Sequence, residues 1–213
     1  MRTNTRRQGQ RGSTIMEFAL IGTLFLLPCF LGTIAFGINL GRSIQVTTFT
    51  RDIAHMYSQL VDFSQVPTQI AAGTQTVPQQ LATGVDLRST GTGVIILSKV
   101  MTPTSSDCTA AGVSNCSNLG VPVIINRIVI GNSSLRASNF GTPTGMGSDG
   151  NIPASTYLTS ATCRANGMAA IFSSASYSQA QGQVAYVAEG YFQTADVSGF
   201  GYGTAGVYSR AIF

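Results

Sequence analysis

Phe18 to Leu40 reads FALIGTLFLLPCFLGTIAFGINL, and its only polar side chains are Thr23, Thr33 and Asn39. As a helix this stretch would rise roughly 34 Å at about 1.5 Å per residue, matching a hydrocarbon core about 30 Å thick. A buried core helix would rarely run so far without a charge. A cleaved secretory signal has a shorter apolar stretch of about 7–15 residues. Ala35-Phe36-Gly37 loosely fits a small-x-small cleavage site, but Glu17, directly before the apolar run, argues against that reading. The segment is therefore expected to span a membrane. Arg2, Arg6, Arg7 and Arg11 precede it with no acid among them, which predicts a cytoplasmic N-terminus and an exported remainder.

Charge elsewhere is sparse. Only 9% of the 213 residues are charged, against the usual quarter of a soluble globular protein, and Gly, Ser, Thr, Asn and Gln fill the gap. The formal charge of +4 comes from 12 basic and 8 acidic residues. Set the four leader arginines aside and the body is neutral. No clustered Lys/Arg face remains for phosphates, so no nucleic-acid partner is expected. The basic surplus reads as a topology signal.

The residues around the start of the apolar run carry a more specific pattern. Arg6 to Phe18 reads RRQGQRGSTIMEF. This resembles the leader of type IV prepilins, and more closely the TadE-like pseudopilins of Tad/Flp pilus systems. The likeness covers residues 1 to about 60, and the rest of the chain only in general design. It implies cleavage by a prepilin peptidase after Gly12, with Ser13 as the new N-terminus and Glu17 fifth from it. Phe18 completes the Glu-Phe pair common in that family. The resemblance further implies a minor pseudopilin that primes, caps or decorates a Tad/Flp-type pilus or secretion pseudopilus. Its partners would be other pilin or pseudopilin subunits, an inner-membrane assembly platform and membrane lipid. The chain would sit in a bacterial inner membrane with a periplasmic C-terminal domain, extracellular once assembled. A type II secretion pseudopilin shares this logic but usually has Phe directly after the cut, where Ser13 stands here.

A carboxylate at the edge of hydrocarbon is costly and tends to mark a function or a specific partner. In a pilin-like assembly Glu17 would pair with the α-amino group of a neighbouring subunit and set axial register. The local alternative is a capping box, since Thr14 and Glu17 have that spacing. Further along, Pro28 and Gly32 should loosen or bend the helix. Gly37 and Gly41 form a small-xxx-small pair that permits close helix packing. Cys29, mid-membrane, reads as a small apolar residue. Beyond Arg42 the three-and-four spacing of Val46, Phe49, Ile53, Met56 and Leu60 continues one apolar stripe, with Arg51 and Asp52 off it. His55, the only histidine, has no partner acid or nucleophile in view and reads as a surface or packing residue.

The expected organisation is a basic leader over 1–12 and a transmembrane and stalk helix over 13–62. A polar linker over 63–93 and a β-rich exported domain over 94–213 follow. The linker would hold one short helix around Gln79 to Ala82. Val94 to Val100 (VIILSKV) and Val121 to Ile130 (VPVIINRIVI) are β-branched runs bounded by turn residues, read as central strands covered by the helix. Asn132 to Asn151 reads as loop. Gln183 to Thr194 alternates, with Val184, Tyr186, Ala188 and Gly190 on one face, and Tyr202 to Phe213 holds a last strand. Strands without long intervening helices predict antiparallel pairing, so the fold class is α+β: a long N-terminal transmembrane helix and an antiparallel β-rich head.

Cys108 and Cys116 lie in a polar loop, and an exported compartment favours their oxidation. Cys163 would be left over or would take one of those two partners; spacing does not choose. No CxxC pair and no second histidine support zinc, so no metal or other cofactor is expected. The chain lacks a GxSxG elbow, an HExxH helix and a Walker loop. Gly199 to Gly203 reads as turns rather than a phosphate cradle, and the acids are scattered. The reading is of a non-enzymatic protein. The alternative to a pseudopilin is an uncleaved membrane-anchored binding or adhesion protein whose head recognises a surface ligand.

Overall fold

The computed structural model describes residues 10–74, 76, 86–166, 182–194 and 205–213. The chain forms two compact units, Met1–Arg42 and Ser43–Phe213. The leader arginines up to Arg7, the helix expected near Gln79 to Ala82 and the Gly199 to Gly203 stretch lie outside the described residues.

In the first unit, helix α1 (Gln10–Ile21) runs into a π-helical turn (Gly22–Leu26) and then into α2 (Leu27–Ser58). The wide turn has a cause in sequence. Pro28 has no N–H, and its ring in a regular helix would press on the carbonyl four residues back, that of Leu24. Opening the spiral just upstream relieves this, and the Leu27 amide donates to the Gly22 carbonyl instead. Gly32 sits in regular helix. The side chains of Phe18, Leu24, Phe25 and Phe30 are all exposed. The helical run Thr14–Ser58 is long and apolar enough to cross a membrane.

In the second unit the remainder of α2 packs on a four-stranded antiparallel sheet of order β2-β1-β3-β4. The strands are β1 (Gly93–Met101), β2 (Val123–Gly131), β3 (Val184–Thr194) and β4 (Ala205–Ile212). Val46, Phe49, Ile53, Ala54 and Tyr57 of α2 are buried against Ile95, Leu97, Ile130, Ala188 and Phe192. Each Val, Ile, Leu and Phe side chain among them contributes about 1.5–3 kcal/mol on leaving water. The opposite face of the sheet carries a second core, where Val100, Ile124, Ala185 and Val187 meet Phe140, Ile152 and Cys163 from the 132–165 segment. Both faces of β1 are thus covered, which explains its continuous apolar run.

Three expectations are corrected. The β2 run was expected to be central, yet it is an edge strand. It reads as central because segments from the 132–165 region shield it: the Arg127 amide donates to the Gly150 carbonyl and the Ile152 amide to the Ile125 carbonyl. The expected linker over 63–93 contributes Phe63, Val66, Ile70 and Leu87 to the helix-side core, the middle two from a short helix α3 (Val66–Ala71). Leu60 leaves the apolar stripe because α2 ends at Ser58. There the Leu60 amide donates to Tyr57 and the Val61 amide to Met56, a Schellman end. His55 does pack, its ring edge-on to Phe213. On β3, Tyr186 and Ala188 face the helix-side core as the alternation predicts, and Phe192 joins them there.

Candidate functional site

Two regions hold the residues with chemistry. In the first unit, Gly12 and Ser13 lie in the opening turns of α1, and Glu17 and Phe18 follow within the same helix. Because α1 begins at Gln10, Thr14 stands inside the helix and not at its N-cap, so the local capping-box alternative is not the arrangement formed. The chain does form a capping box elsewhere, at Thr104 and Asp107. Glu17 is exposed and has no ion pair among the described residues, and Phe18 is 73% exposed. At Gly37 and Gly41 an added Cβ would meet no atom of the described residues within 4 Å. The carboxylate, the aromatic and the flat glycine pair therefore present outward on an apolar helix, free to engage lipid or another chain.

In the second unit Cys108 and Cys116 form a disulfide, with Cα atoms 6.3 Å apart. It ties helix α4 (Ser105–Ala110) to the loop after it. Thr104 caps this helix, and its hydrogen bonds to Asp107 hold that carboxyl below its ordinary range. Cys163 is a free thiol, fully buried in the second core. Among the described residues no group of three or more His, Cys, Asp or Glu could hold a metal.

Sequence reasoning counted Glu189 as one scattered acid and Arg127 as part of a strand. Both are buried on the face of the sheet away from α2. Glu189 accepts the Asn139 amide at 3.0 Å, the Tyr208 hydroxyl at 2.8 Å and the Ser138 hydroxyl. Arg127 donates from Nε to Ser98 Oγ at 3.1 Å and from Nη1 to the Gly141 carbonyl. Burial lowers the Arg127 guanidinium to about 10, with Glu189 opposing the shift. Burial and the Glu189 carboxylate push the Tyr208 phenol up to about 12. Arg136 stacks over the Tyr208 ring at 4.1 Å, and no space for a water-sized ligand remains beside Glu189. This cluster pins the 132–165 segment to the sheet. The available signal was a lone charge inside each of two apolar strand patterns, VAYVAEGYF and VIINRIVI.

The helix side holds a polar cavity of about 290 Å³ at the end of α2. One wall is a hydrogen-bonded chain. Tyr57 donates to Asn126 Oδ1 at 2.6 Å, Asn126 Nδ2 to Asn151 Oδ1 at 2.7 Å, and Asn151 Nδ2 to Asp149 Oδ2 at 2.6 Å. Lys99, the only lysine, places its ammonium 5.4 Å from the Tyr57 ring centre and 5.6 Å from that of Tyr186. Asp62 stands on the loop above, and the Ser64 amide donates to it at 2.8 Å.

No family model matches this chain, and comparison with curated proteins and with solved structures finds no match either.

Proposed function

We propose that this protein is a minor pseudopilin of TadE-like type, cut after Gly12 and used to prime, cap or decorate a Tad/Flp-type pilus or secretion pseudopilus. The observation that carries the reading is Glu17. It stands fifth from Ser13, at the start of a membrane-length helix, and finds no ion pair among the described residues. A carboxylate left there is costly, whereas the α-amino group freed by cleavage of a neighbouring subunit would neutralise it and fix axial register. Gly37 and Gly41 support the same reading, because their missing side chains relieve no contact among the described residues and suit close approach of a second helix. The four leader arginines would hold the N-terminus in the cytoplasm. The disulfide-closed α+β unit would then lie outside the bacterial inner membrane, where thiols oxidise. A folded unit of this size favours a low-copy role, since the major subunits of such pili resemble the helix alone.

Mass spectrometry of the N-terminus tests this, on membranes from cells that contain the matching prepilin peptidase. The expected mature chain begins at Ser13 and is lost when Gly12 is replaced. Glu17→Ala should insert normally yet fail to assemble, and normal pili in that variant would remove the proposed role of the carboxylate. A second reading is an uncleaved anchor whose folded unit binds a surface ligand, and the polar cavity beside Lys99 favours it. An intact N-terminus would select that reading, and a start beyond Gly37 would mean an ordinary signal peptide.

A further inference from the structure

We propose that the cavity bounded by Tyr57, Leu60, Asp62, Lys99, Asn126 and Asp149 is a binding site for a neutral sugar, sized for a single ring. Its volume of about 290 Å³ lies just under the roughly 300–1,000 Å³ of small-molecule clefts. The argument for a neutral polyol comes from the charges. One ammonium and two carboxylates line the same space. The Ser64 amide holds Asp62, and the Asn151 amide holds Asp149, below the usual carboxylate range, so both accept hydrogen bonds at neutral pH. An anionic ligand would meet these two carboxylates, and a cationic one would meet Lys99. A hydroxyl group suits all three, donating to a carboxylate and accepting from the ammonium.

The wall is already set for such a ligand. The bonds from Tyr57 through Asn126 and Asn151 to Asp149 orient both amides before anything binds, and such chains polarise one another. Lys99 makes no ion pair among the described residues; the Tyr57 and Tyr186 rings hold its ammonium at the cavity.

The lip is apolar, as the C–H face of a sugar ring requires. Leu60 is 71% exposed and Val61 40% exposed. Leu60 is also held at φ +66°, the only non-glycine positive φ among the described residues. Helices α3 and α4 in the same unit end in the same way but place glycines there, Gly73 and Gly112. Glycine is the unstrained choice at such an end. A bulky apolar side chain kept there, exposed at the mouth of a polar cavity, points to a contact outside the chain.

The test uses the full chain in a zwitterionic detergent without a sugar headgroup. Saturation-transfer NMR and titration calorimetry are run with glucose, galactose, mannose and N-acetylglucosamine. Glucuronate, glucosamine and calcium serve as charged comparators. At least one neutral sugar should bind saturably and more tightly than every comparator. Lys99→Gln and Asp62→Ala should each weaken it tenfold or more, in chains that still unfold cooperatively. Leu60→Gly should weaken it several-fold while raising the unfolding temperature. The proposal is overturned if no neutral sugar binds, if the variants bind as well as the parent, or if a charged comparator binds more tightly. Each outcome is independent of whether the leader is cut.

Discussion

Replacing Gly190 by Ala should destabilise the folded unit, although alanine is the better residue for an extended backbone. Gly190 lies in β3, paired with Ile95 on one side and Ser209 on the other. An added Cβ would stand 2.3 Å from Thr50 Oγ1 on α2, 3.3 Å from Phe192 and 3.5 Å from Thr50 Cβ. Thr50 is buried, and its hydroxyl is tied to the Val46 carbonyl at 2.8 Å, so it cannot swing away without breaking that bond or lifting the helix. Alanine recovers about 0.5–1 kcal/mol of unfolded-chain entropy. Overpacking of this kind costs about 1–3 kcal/mol, and the contact is close enough for the cost to win. The net loss should be about 1–2 kcal/mol, or about 3–6 °C in melting temperature for a unit of this size. Because the chain lacks tryptophan, tyrosine fluorescence during urea unfolding is a suitable readout. Thr50→Ala should rescue Gly190→Ala, since it removes the 2.3 Å oxygen contact and leaves only the carbon contacts at 3.3 and 3.5 Å, with a coupling of at least about 1 kcal/mol in a double-mutant cycle. Thr50→Ser keeps the offending oxygen and should not rescue. A Gly190→Ala protein as stable as its parent, or one that Thr50→Ala fails to restore, would refute the close helix–sheet contact.

Replacing Cys108 and Cys116 by Ser opens a loop whose ends are eight positions apart; the chain-entropy relation puts the loss near 2.6 kcal/mol. Reduction of the parent should shift the urea midpoint equally, and a negligible shift would show the crosslink to be energetically silent. Tyr208→Phe should flatten the decline of stability at high pH. The phenol titrates at about 12 in the folded chain because of burial and Glu189, against about 10 when unfolded. The folded state therefore keeps its proton longer, and the stabilisation is complete below pH 10 and lost as pH rises through 12. Arg127, lowered to about 10, acts in the opposite sense but equally in both proteins, so it cancels in the comparison. Unfolding measured at pH 9, 10 and 11 should give a shallower fall in the variant, and identical slopes would mean that Tyr208 does not engage Glu189.

The membrane-length helix and the four strand segments were legible in one dimension, whereas the choice of Cys116 over Cys163 as the partner of Cys108 was not. Each of these elements depends on residues that are neighbours in sequence: a run long enough for a bilayer, and β-branched stretches between turns. The proposed processing motif around Gly12 and Glu17 also rests on a spacing and not on a surface. Tertiary structure decided everything that rests on distant pairings. The edge position of β2 depends on cover from Gly150 and Ile152, which no property of the strand itself announces. Phe63, Val66, Ile70 and Leu87 are isolated apolar residues in polar text and become core only when α2 and the sheet supply a wall. Glu189 meets Ser138 across 51 positions, Arg127 meets Ser98 across 29, and Tyr57 meets Asn126 across 69. Buried polar groups must find such partners, but periodicity reports only which way a side chain faces. The identity of the group that waits there is set when the chain closes on itself.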